Sequence, residues 1–315
     1  MTQQWQGADF PSRWESQWIE RRQRIEARRL GFSGPGTPGR RVPLPLPYRL
    51  LRWSLRASGL YPRGYRNFQD LRLTRRDHSL NTWPTGLDGY RILQVSDLHI
   101  DLDPALMPPL RRILAGLRCD LAVFTGDYCE GAHPTHGHAL RLMREVLETL
   151  PPPVNGRFGV LGNHDTASLG AALEEMGLPI LVNEAVTIER PEGTFALAGI
   201  DDPYLFRMED VFQAAHQCPD GPPRILLSHS PQVAPVAQEA GFHLMLSGHT
   251  HGGQVCLPGG LSLVGMEAIP RSLFRGPWRH RSLTGYTTTG TGACHIPVRY
   301  NCPPEVVLHV LHPSP

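Results

Sequence analysis

The chain has 315 residues, of which 40% are hydrophobic and 19% are charged, values typical of a globular protein that can bury a sizeable core. No apolar segment approaches the roughly 18 residues of a membrane span and the first ten residues are polar, so we expect neither a span nor a signal peptide. The net charge of +2 conceals an asymmetry, because residues 1–90 contain 16 arginines against 7 acidic residues and residues 91–315 contain 15 against 22. Six scattered cysteines without a Cys-x-x-Cys pair indicate reduced thiols in a cytoplasmic protein.

Residues 1–89 form a predicted arginine-rich arm. Trp14 and Trp18 lie at helical spacing among arginines, residues 31–47 are rich in Gly and Pro and predict a linker, and Tyr48–Leu60 predicts a second basic helix. One interpretation places the arm on an anionic membrane surface, as a peripheral contact at the inner face of the membrane. The other packs it on its own catalytic domain or on a partner subunit. We expect no nucleic acid partner, because no reader motif occurs.

One pattern recurs in the predicted catalytic domain, residues 90–315. A short apolar run, typical of a buried strand, is followed at once by polar residues. The five runs are Ile92–Val95, Leu121–Phe124, Phe158–Leu161, Ile225–Leu227 and Leu244–Leu246. Phe195–Ile200 predicts a sixth strand, and Ala105–Leu117 and His138–Leu150 predict helices between strands. Because α/β folds collect polar side chains at strand ends, these runs predict an α/β fold with a single site there.

The residues that follow these strands have the chemistry of a metal site. They are Asp97, His99, Asp127, Asn163, His229, His249 and His251. Two carboxylates, one amide oxygen and four imidazoles exceed the needs of one tetrahedral zinc and suit two metal ions that share a carboxylate. These mixed donors favour Mn²⁺, with Fe or Zn²⁺ as alternatives. Two such ions about 3.5–4 Å apart can hold a hydroxide that attacks a phosphoryl group.

The same residues carry a resemblance to a known family. The blocks Asp97-x-His99, Gly126-Asp127, Gly162-Asn163-His164-Asp165, His229 and Gly248-His249-x-His251 resemble the five ordered blocks of the calcineurin-like metallophosphoesterase superfamily. Residues 248–254 and 291–305 resemble the branch that includes bacterial phosphodiesterases and UDP-2,3-diacylglucosamine pyrophosphatases. The resemblance implies an α/β (α+β) fold, a four-layer α/β/β/α sandwich of two mixed sheets with the metals at the strand ends. Members often begin with a membrane-spanning helix, and the basic arm stands in that place here.

The resemblance also implies roles for single residues. Asp97, His99, Asp127 and His251 would hold one metal ion, and Asp127 would bridge to a second ion completed by Asn163, His229 and His249. His164 would be the catalytic residue that stabilises charge or protonates the leaving oxygen, oriented by Asp165 or a backbone carbonyl, unless its role is structural. Asp165, Asp202 and Arg299 are candidate substrate-binding residues, with a turn competing for Asp202 and a salt bridge for Arg299.

The expected function is hydrolysis of a phosphodiester or pyrophosphate bond by a metal-bound hydroxide. The expected substrate is UDP-2,3-diacylglucosamine or another lipid-linked compound, since both the branch and the Trp-containing basic arm favour it. A general soluble phosphodiesterase or phosphomonoesterase is the alternative. A scaffold that kept the fold and lost the chemistry is a third possibility, against which the complete ligand set argues.

Overall fold

The computed structural model describes residues 11–30, 44–131, 136–262 and 269–314, so most of the predicted linker, residues 31–43, lies outside the described residues. The helices in these ranges are α1 (Ser16–Leu30), α2 (Leu46–Ala57), α3 (Tyr61–Gln69), α4 (Met107–Ala115), α5 (Gly137–Thr149), α6 (Ala167–Glu175), α7 (Val211–His216) and α8 (Ala234–Glu239). The strands are β1 (Arg72–Leu80), β2 (Tyr90–Val95), β3 (Leu121–Phe124), β4 (Arg157–Gly159), β5 (Glu184–Arg190), β6 (Gly193–Gly199), β7 (Arg224–Leu227), β8 (Leu244–Ser247), β9 (Gly276–His280), β10 (Leu283–Thr287) and β11 (Glu305–Pro313). None of the helices in the described ranges has the length and apolar character that crossing a bilayer requires.

The strands form two mixed sheets, which confirms the predicted fold class. The first sheet has the order β1-β11-β2-β3-β4 and the second has the order β5-β6-β7-β8-β10-β9. One apolar cluster lies between the sheets and joins residues of β2 and β3 to residues of β6, β7 and β8. A second cluster covers the outer face of the first sheet with α4, α5 and α6, and a third covers the outer face of the second sheet with α7 and α8. The layers are therefore helix, sheet, sheet and helix.

The central strands are apolar on both faces because each face packs against another layer. In β3 and β8 every residue is buried, as expected for parallel strands covered on both sides. Their registers pair Val95 with Phe124 and Leu227 with Leu246. The residues that follow neighbouring strands therefore emerge side by side at one edge of each sheet.

Helix α1 packs against residues that follow the arm in the chain. The side chains of Trp18 and Arg22 are buried, as is that of Trp14 just before the helix, although the helix carries several arginines. Arg22 is fully buried, forms an ion pair with Asp201, and its guanidinium lies 3.4 Å from the centroid of the Phe206 ring. The helix is thus held by a buried charge pair as well as by apolar contacts.

The strand that follows the helices of the arm belongs to the first sheet. Strand β1 lies at its edge and pairs in parallel with β11 along its whole length. Helix α2 buries Leu55 in a small cluster with Val255, Ile296 and Val298. Residues 44–80 are therefore packed onto the domain that carries the predicted ligands.

Candidate metal centre

All seven predicted ligands converge at the strand ends. Asp97, His99, Asp127 and His251 each offer one ligand atom, and these four atoms lie within 4.8 Å of one another. Asp127 belongs equally to a second group, which it forms with His229 and His249. The Asn163 side-chain oxygen lies 3.0 Å from His229 Nε2 and so adjoins this second group. The arrangement is two clusters that share one carboxylate.

Imidazole nitrogens face each other within both clusters. His99 Nε2 lies 3.1 Å from His251 Nε2, and His229 Nε2 lies 3.2 Å from His249 Nδ1. His99 Nε2 and His229 Nε2 also approach Asp127 Oδ2, at 3.5 and 3.3 Å. Nitrogen and carboxylate atoms that point at a common centre are the donor set of Mn²⁺, Fe or Zn²⁺ sites. The residues therefore fit two divalent metal ions.

Two outer contacts orient these imidazoles. His229 Nδ1 lies 2.8 Å from the carbonyl oxygen of Thr125, to which it donates, so that in the neutral form of the ring the lone pair of Nε2 points toward the cluster. His99 Nδ1 lies 2.9 Å from Glu130 Oε2 in an ion pair that directs its Nε2 in the same way. Metal-binding histidines are commonly fixed by a carbonyl or carboxylate on the other ring nitrogen.

The backbone of the cluster is strained. Five of the seven predicted ligands, namely Asp97, His99, Asp127, His249 and His251, have φ between 38° and 71°. Non-glycine residues rarely adopt this region, and each such residue costs of order 1–3 kcal/mol. Strain concentrated at polar residues is typical of a functional site, where the surrounding structure compensates for it.

Two glycines of the motifs are required by close approach. A Cβ atom on Gly162 would collide with Asp127 Oδ1, and one on Gly248 would collide with Asp97 Oδ2 and Ser96 Oγ. These contacts explain in steric terms why the loops that carry Asn163 and His249 begin with glycine.

Burial and charge shift the pKa values of the cluster in opposite directions. Burial acts to lower the pKa of His229, but the charge of Asp127 outweighs it and raises the pKa to about 10. For His99, Glu130 likewise outweighs burial and raises the pKa to about 9. Burial and the neighbouring charged histidines hold the pKa of His249 and His251 well below the usual value. The electrostatic environment therefore keeps His249 and His251 neutral, the state that binds metal.

His164 lies beside the two clusters that share Asp127 but belongs to neither of them. Its backbone N–H donates to Asp127 Oδ1 at 2.9 Å, and its Nδ1 lies 2.6 Å from the carbonyl oxygen of Glu130. The sequence left open whether Asp165 or a backbone carbonyl orients the His164 ring, and the structure shows the carbonyl of Glu130 in contact with it. The Nε2 atom lies 3.9 Å from Cys294 Sγ at the cavity.

The three predicted substrate contacts lie behind the cavity wall. Asp165 is fully buried and accepts hydrogen bonds from the backbone N–H groups of Asp127, Tyr128 and Gly162 at 2.7–2.9 Å. Burial, followed by the charge of Asp127, raises the pKa of Asp165. This carboxyl therefore joins the loops that carry two predicted ligands and does not line the cavity.

Asp202 and Arg299 are buried in the same way. Asp202 accepts from the N–H groups of residues 204–206 at 2.7–3.1 Å and so fixes the turn that carries Tyr204. Arg299 is fully buried and donates to the backbone carbonyls of residues 289, 290, 292 and 302 at 2.6–3.3 Å. The hydrogen-bonding capacity of both side chains is used within the fold, and the turn that the sequence offered as the alternative for Asp202 is present.

A cavity of about 210 Å³ opens over the clusters. Its wall includes Asp127, Asn163, His164, His249 and His251, together with residues that the sequence did not single out for this site. The latter include Tyr48 and Leu51 of α2, Tyr204, Cys294 and His295. The Tyr204 and His249 rings lie 4.2 Å apart, as do the Tyr48 and His295 rings. Tyr48, Leu51 and Tyr204 carry no local signal in the sequence, whereas Cys294 and His295 lie in the segment 291–305 that carries the branch resemblance.

The family model of the calcineurin-like phosphoesterases matches residues 90–253, which contain all seven predicted ligands. The chain belongs to the calcineurin-like phosphoesterase family. This membership confirms the resemblance and the predicted enzyme class, a hydrolase of phosphoric esters.

Similar proteins occur in several bacteria. The chain is 28% identical over 228 residues to the uncharacterized metallophosphoesterase YkoQ of Bacillus subtilis, covering 69% of this chain and 82% of that protein. It is 29% identical over 249 residues to the phosphodiesterase YaeI of Escherichia coli, with coverage of 73% and 85%. It is 26% identical over 302 residues to the UDP-2,3-diacylglucosamine pyrophosphatase LpxG of Chlamydia trachomatis, with coverage of 76% and 88%.

Proposed function

We propose that this family member is a dinuclear-metal-dependent phosphoesterase that hydrolyses a phosphodiester or pyrophosphate bond. The observation that carries the proposal is the convergence of seven ligands into two clusters that share Asp127. A single structural ion would not need a second cluster beside it, whereas two ions joined by a carboxylate are a standard arrangement for phosphoryl transfer.

In this proposal Asp97, His99, Asp127 and His251 hold one ion, and Asp127, Asn163, His229 and His249 hold the other. Mn²⁺ is the proposed metal, with Fe or Zn²⁺ as alternatives, because the donors are nitrogen and oxygen without thiolate. When bound, the two ions would supply Lewis-acid polarisation of the phosphoryl oxygens and a water of lowered pKa.

His164 is the proposed catalytic residue of the protein itself. Its Nδ1–H donates to the carbonyl of Glu130, which fixes the ring so that Nε2 faces the cavity. A protonated Nε2 can donate to the leaving oxygen or stabilise the negative charge of the transition state, and a positioned histidine contributes about 10²–10⁴-fold to such a reaction. We assign Asp165, Asp202 and Arg299 to positioning these loops, since their polar atoms bind backbone groups.

The proposed substrate class is a lipid-linked pyrophosphate or phosphodiester, with UDP-2,3-diacylglucosamine as the specific candidate. The name of the Chlamydia relative supports this substrate, and that of the Escherichia relative supports a phosphodiester. The cavity of about 210 Å³ is smaller than the roughly 300–1,000 Å³ typical of whole-ligand pockets, so it would enclose the phosphoryl centre and leave the remainder of a large substrate outside.

The outer face of α2 supports a membrane contact beside the cavity. Leu46, Leu50 and Trp53 are 57–70% exposed on this helix, which also carries Arg49, Arg52 and Arg56 and no acidic residue. Its inner residues Tyr48 and Leu51 line the cavity. Exposed apolar side chains flanked by arginine suit the surface of an anionic bilayer. The arm would then serve both as part of the site wall and as a peripheral membrane contact.

The test is metal-dependent hydrolysis by the full chain. Apo protein supplied with Mn²⁺ is assayed on bis-p-nitrophenyl phosphate, p-nitrophenyl phosphate and UDP-2,3-diacylglucosamine, next to Asp127→Asn and to the surface control Asp88→Asn. We expect Asp127→Asn to lose at least about 100-fold in activity, because it removes the shared ligand, and Asp88→Asn to remain active. Metal binding without turnover on any of these substrates would instead support a silent scaffold. Faster hydrolysis of the soluble diester than of the lipid would favour the soluble phosphodiesterase.

A further inference from the structure

A separate group of ligating side chains lies at the rim of the cavity. Glu130, Cys294 and His295 each offer one ligand atom, and the three atoms lie within 4.8 Å of one another. None of these residues belongs to the two clusters that share Asp127. All three are partly exposed, and Cys294 and His295 line the cavity.

The separations within this group suit a bound ion. Glu130 Oε1 lies 2.9 Å from His295 Nδ1 and 3.9 Å from Cys294 Sγ. Two ligands of a tetrahedral zinc ion, with bonds of about 2.0–2.3 Å, lie about 3.3–3.6 Å apart. The two distances from Glu130 Oε1 fall on either side of this value, and all three atoms lie within 4.8 Å of one another, so modest side-chain adjustments would bring them around one ion. Glu130 Oε2 remains paired with His99.

The loop that carries two of these ligands is rigidly held. Gln254 accepts from the N–H of Cys294 at 2.8 Å and donates to the carbonyls of Cys294 and Ile296, each at 3.0 Å. The ring of Tyr48 packs edge-on against His295 at 4.2 Å. A site whose ligands are already ordered loses little conformational entropy when an ion binds.

The chemistry of this group differs from that of the seven proposed ligands. It contains a thiol, and soft thiolate donors select Zn²⁺ over Mn²⁺. Cys294 Sγ also lies 3.9 Å from His164 Nε2, so an ion at this position would stand next to the atom that faces the substrate.

We propose that Glu130, Cys294 and His295 form a third, inhibitory metal site that takes a thiophilic divalent cation such as Zn²⁺. Binding forms a sulfur–metal bond and releases the thiol proton to solvent, and His295 binds through Nδ1 with its proton on Nε2. The bound ion blocks access to His164. Cation binding is independent of the proposed function, whereas the inhibition rests on it.

Cobalt spectroscopy tests the binding step without turnover. Apo protein is titrated with Co²⁺ while the thiolate-to-cobalt charge-transfer absorption is recorded. Among the described residues, two groups of side chains that could hold a cation contain a thiol, and in both groups this thiol belongs to Cys294. The absorption therefore reports coordination by Cys294. We expect the band in the wild type, in the buried-cysteine control Cys218→Ser and in Asp127→Asn, but not in Cys294→Ser. His295→Gln should require higher Co²⁺ concentrations for the same band.

Zinc inhibition tests the consequence. Inhibition of the Mn²⁺-loaded wild type should require a Zn²⁺ concentration at least about 100-fold lower than inhibition of Cys294→Ser. A direct ligand contributes at least as much to metal affinity as the outer contacts of a metal site. Absence of the charge-transfer band from the folded wild type, or its persistence in Cys294→Ser, would overturn the site. Equal zinc sensitivity of the two enzymes would overturn the inhibition. If no substrate is hydrolysed at all, the cobalt titration still decides the site, and only the proposed function fails.

Discussion

Replacing Glu130 by glutamine isolates the contribution of an outer carboxylate to the proposed metal centre. Glu130 is charged at neutral pH, because the charge of His99 outweighs the effect of burial and lowers the pKa of this carboxyl. Its Oε2 lies 2.9 Å from His99 Nδ1, and its Oε1 accepts from His295. The substitution Glu130→Gln keeps the shape of the side chain but removes the charge and turns one oxygen into an N–H donor.

The expected loss follows from this geometry. An outer carboxylate that orients a metal-binding histidine contributes roughly 10–100-fold to metal affinity. Because about 1.4 kcal/mol corresponds to a factor of ten in an equilibrium constant, the ion pair with His99 corresponds to about 1.4–3 kcal/mol of binding free energy. The cluster that contains His99 should be weakened, whereas the Asn163, His229 and His249 side should change less.

Calorimetric titration of apo protein with Mn²⁺ measures the loss. Mn²⁺ is the appropriate probe because it prefers oxygen and nitrogen donors and so does not report the thiol of Cys294. Glu192→Gln, which removes a surface carboxylate paired with Arg190, is the matched control and should bind like the wild type. If folded Glu130→Gln binds Mn²⁺ at both positions as tightly as the control, the proposed role of Glu130 in orienting His99 is refuted.

Three further predictions concern the fold around the site. Arg22→Met should lower the free energy of unfolding in urea by about 3–5 kcal/mol because it leaves Asp201 as an unpaired buried charge. A change below about 1 kcal/mol would contradict the conclusion that the arm is an integral part of the fold. Gly162→Ala should abolish Mn²⁺ binding by displacing Asp127, whereas Gly116→Ala, with open space around its Cβ, should bind normally; equal binding would disprove the steric argument. Burial lowers the pKa of His78 to about 4, below its unfolded value, so stability should fall as pH falls from 6.5 toward 4. Between pH 7 and pH 5 the wild type should lose about 2 kcal/mol more than His78→Gln, and parallel pH profiles would contradict this account.

The strand ends and their ligands were predictable because both signals are local. A central strand covered on both faces must be apolar throughout, so Leu121–Phe124 and Leu244–Leu246 are recognisable in isolation, and the polar residues that follow them stand out. Parallel strands carry those residues to one edge of the sheet. The strand pattern therefore sufficed to predict an α/β fold and to nominate the seven ligands, whereas the two mixed sheets were implied by the family resemblance.

The surroundings of the ligands depend on contacts between distant segments. Glu130 resembles any loop carboxylate in the sequence, and only the folded chain brings it to His99 and His295. The sequence likewise gives no indication that Tyr48, far from the motifs, forms part of the cavity wall.

Burial of charge is the other property that tertiary structure decided. Arg22 lies in a basic helix for which the sequence left both a membrane surface and packing against protein open, and it is fully buried against Asp201. Arg299 suggested a phosphate contact, but backbone carbonyls enclose its guanidinium. The sequence shows which residues carry a charge but not which group compensates for the loss of hydration when that charge is buried. That partner is fixed only when remote parts of the chain pack together.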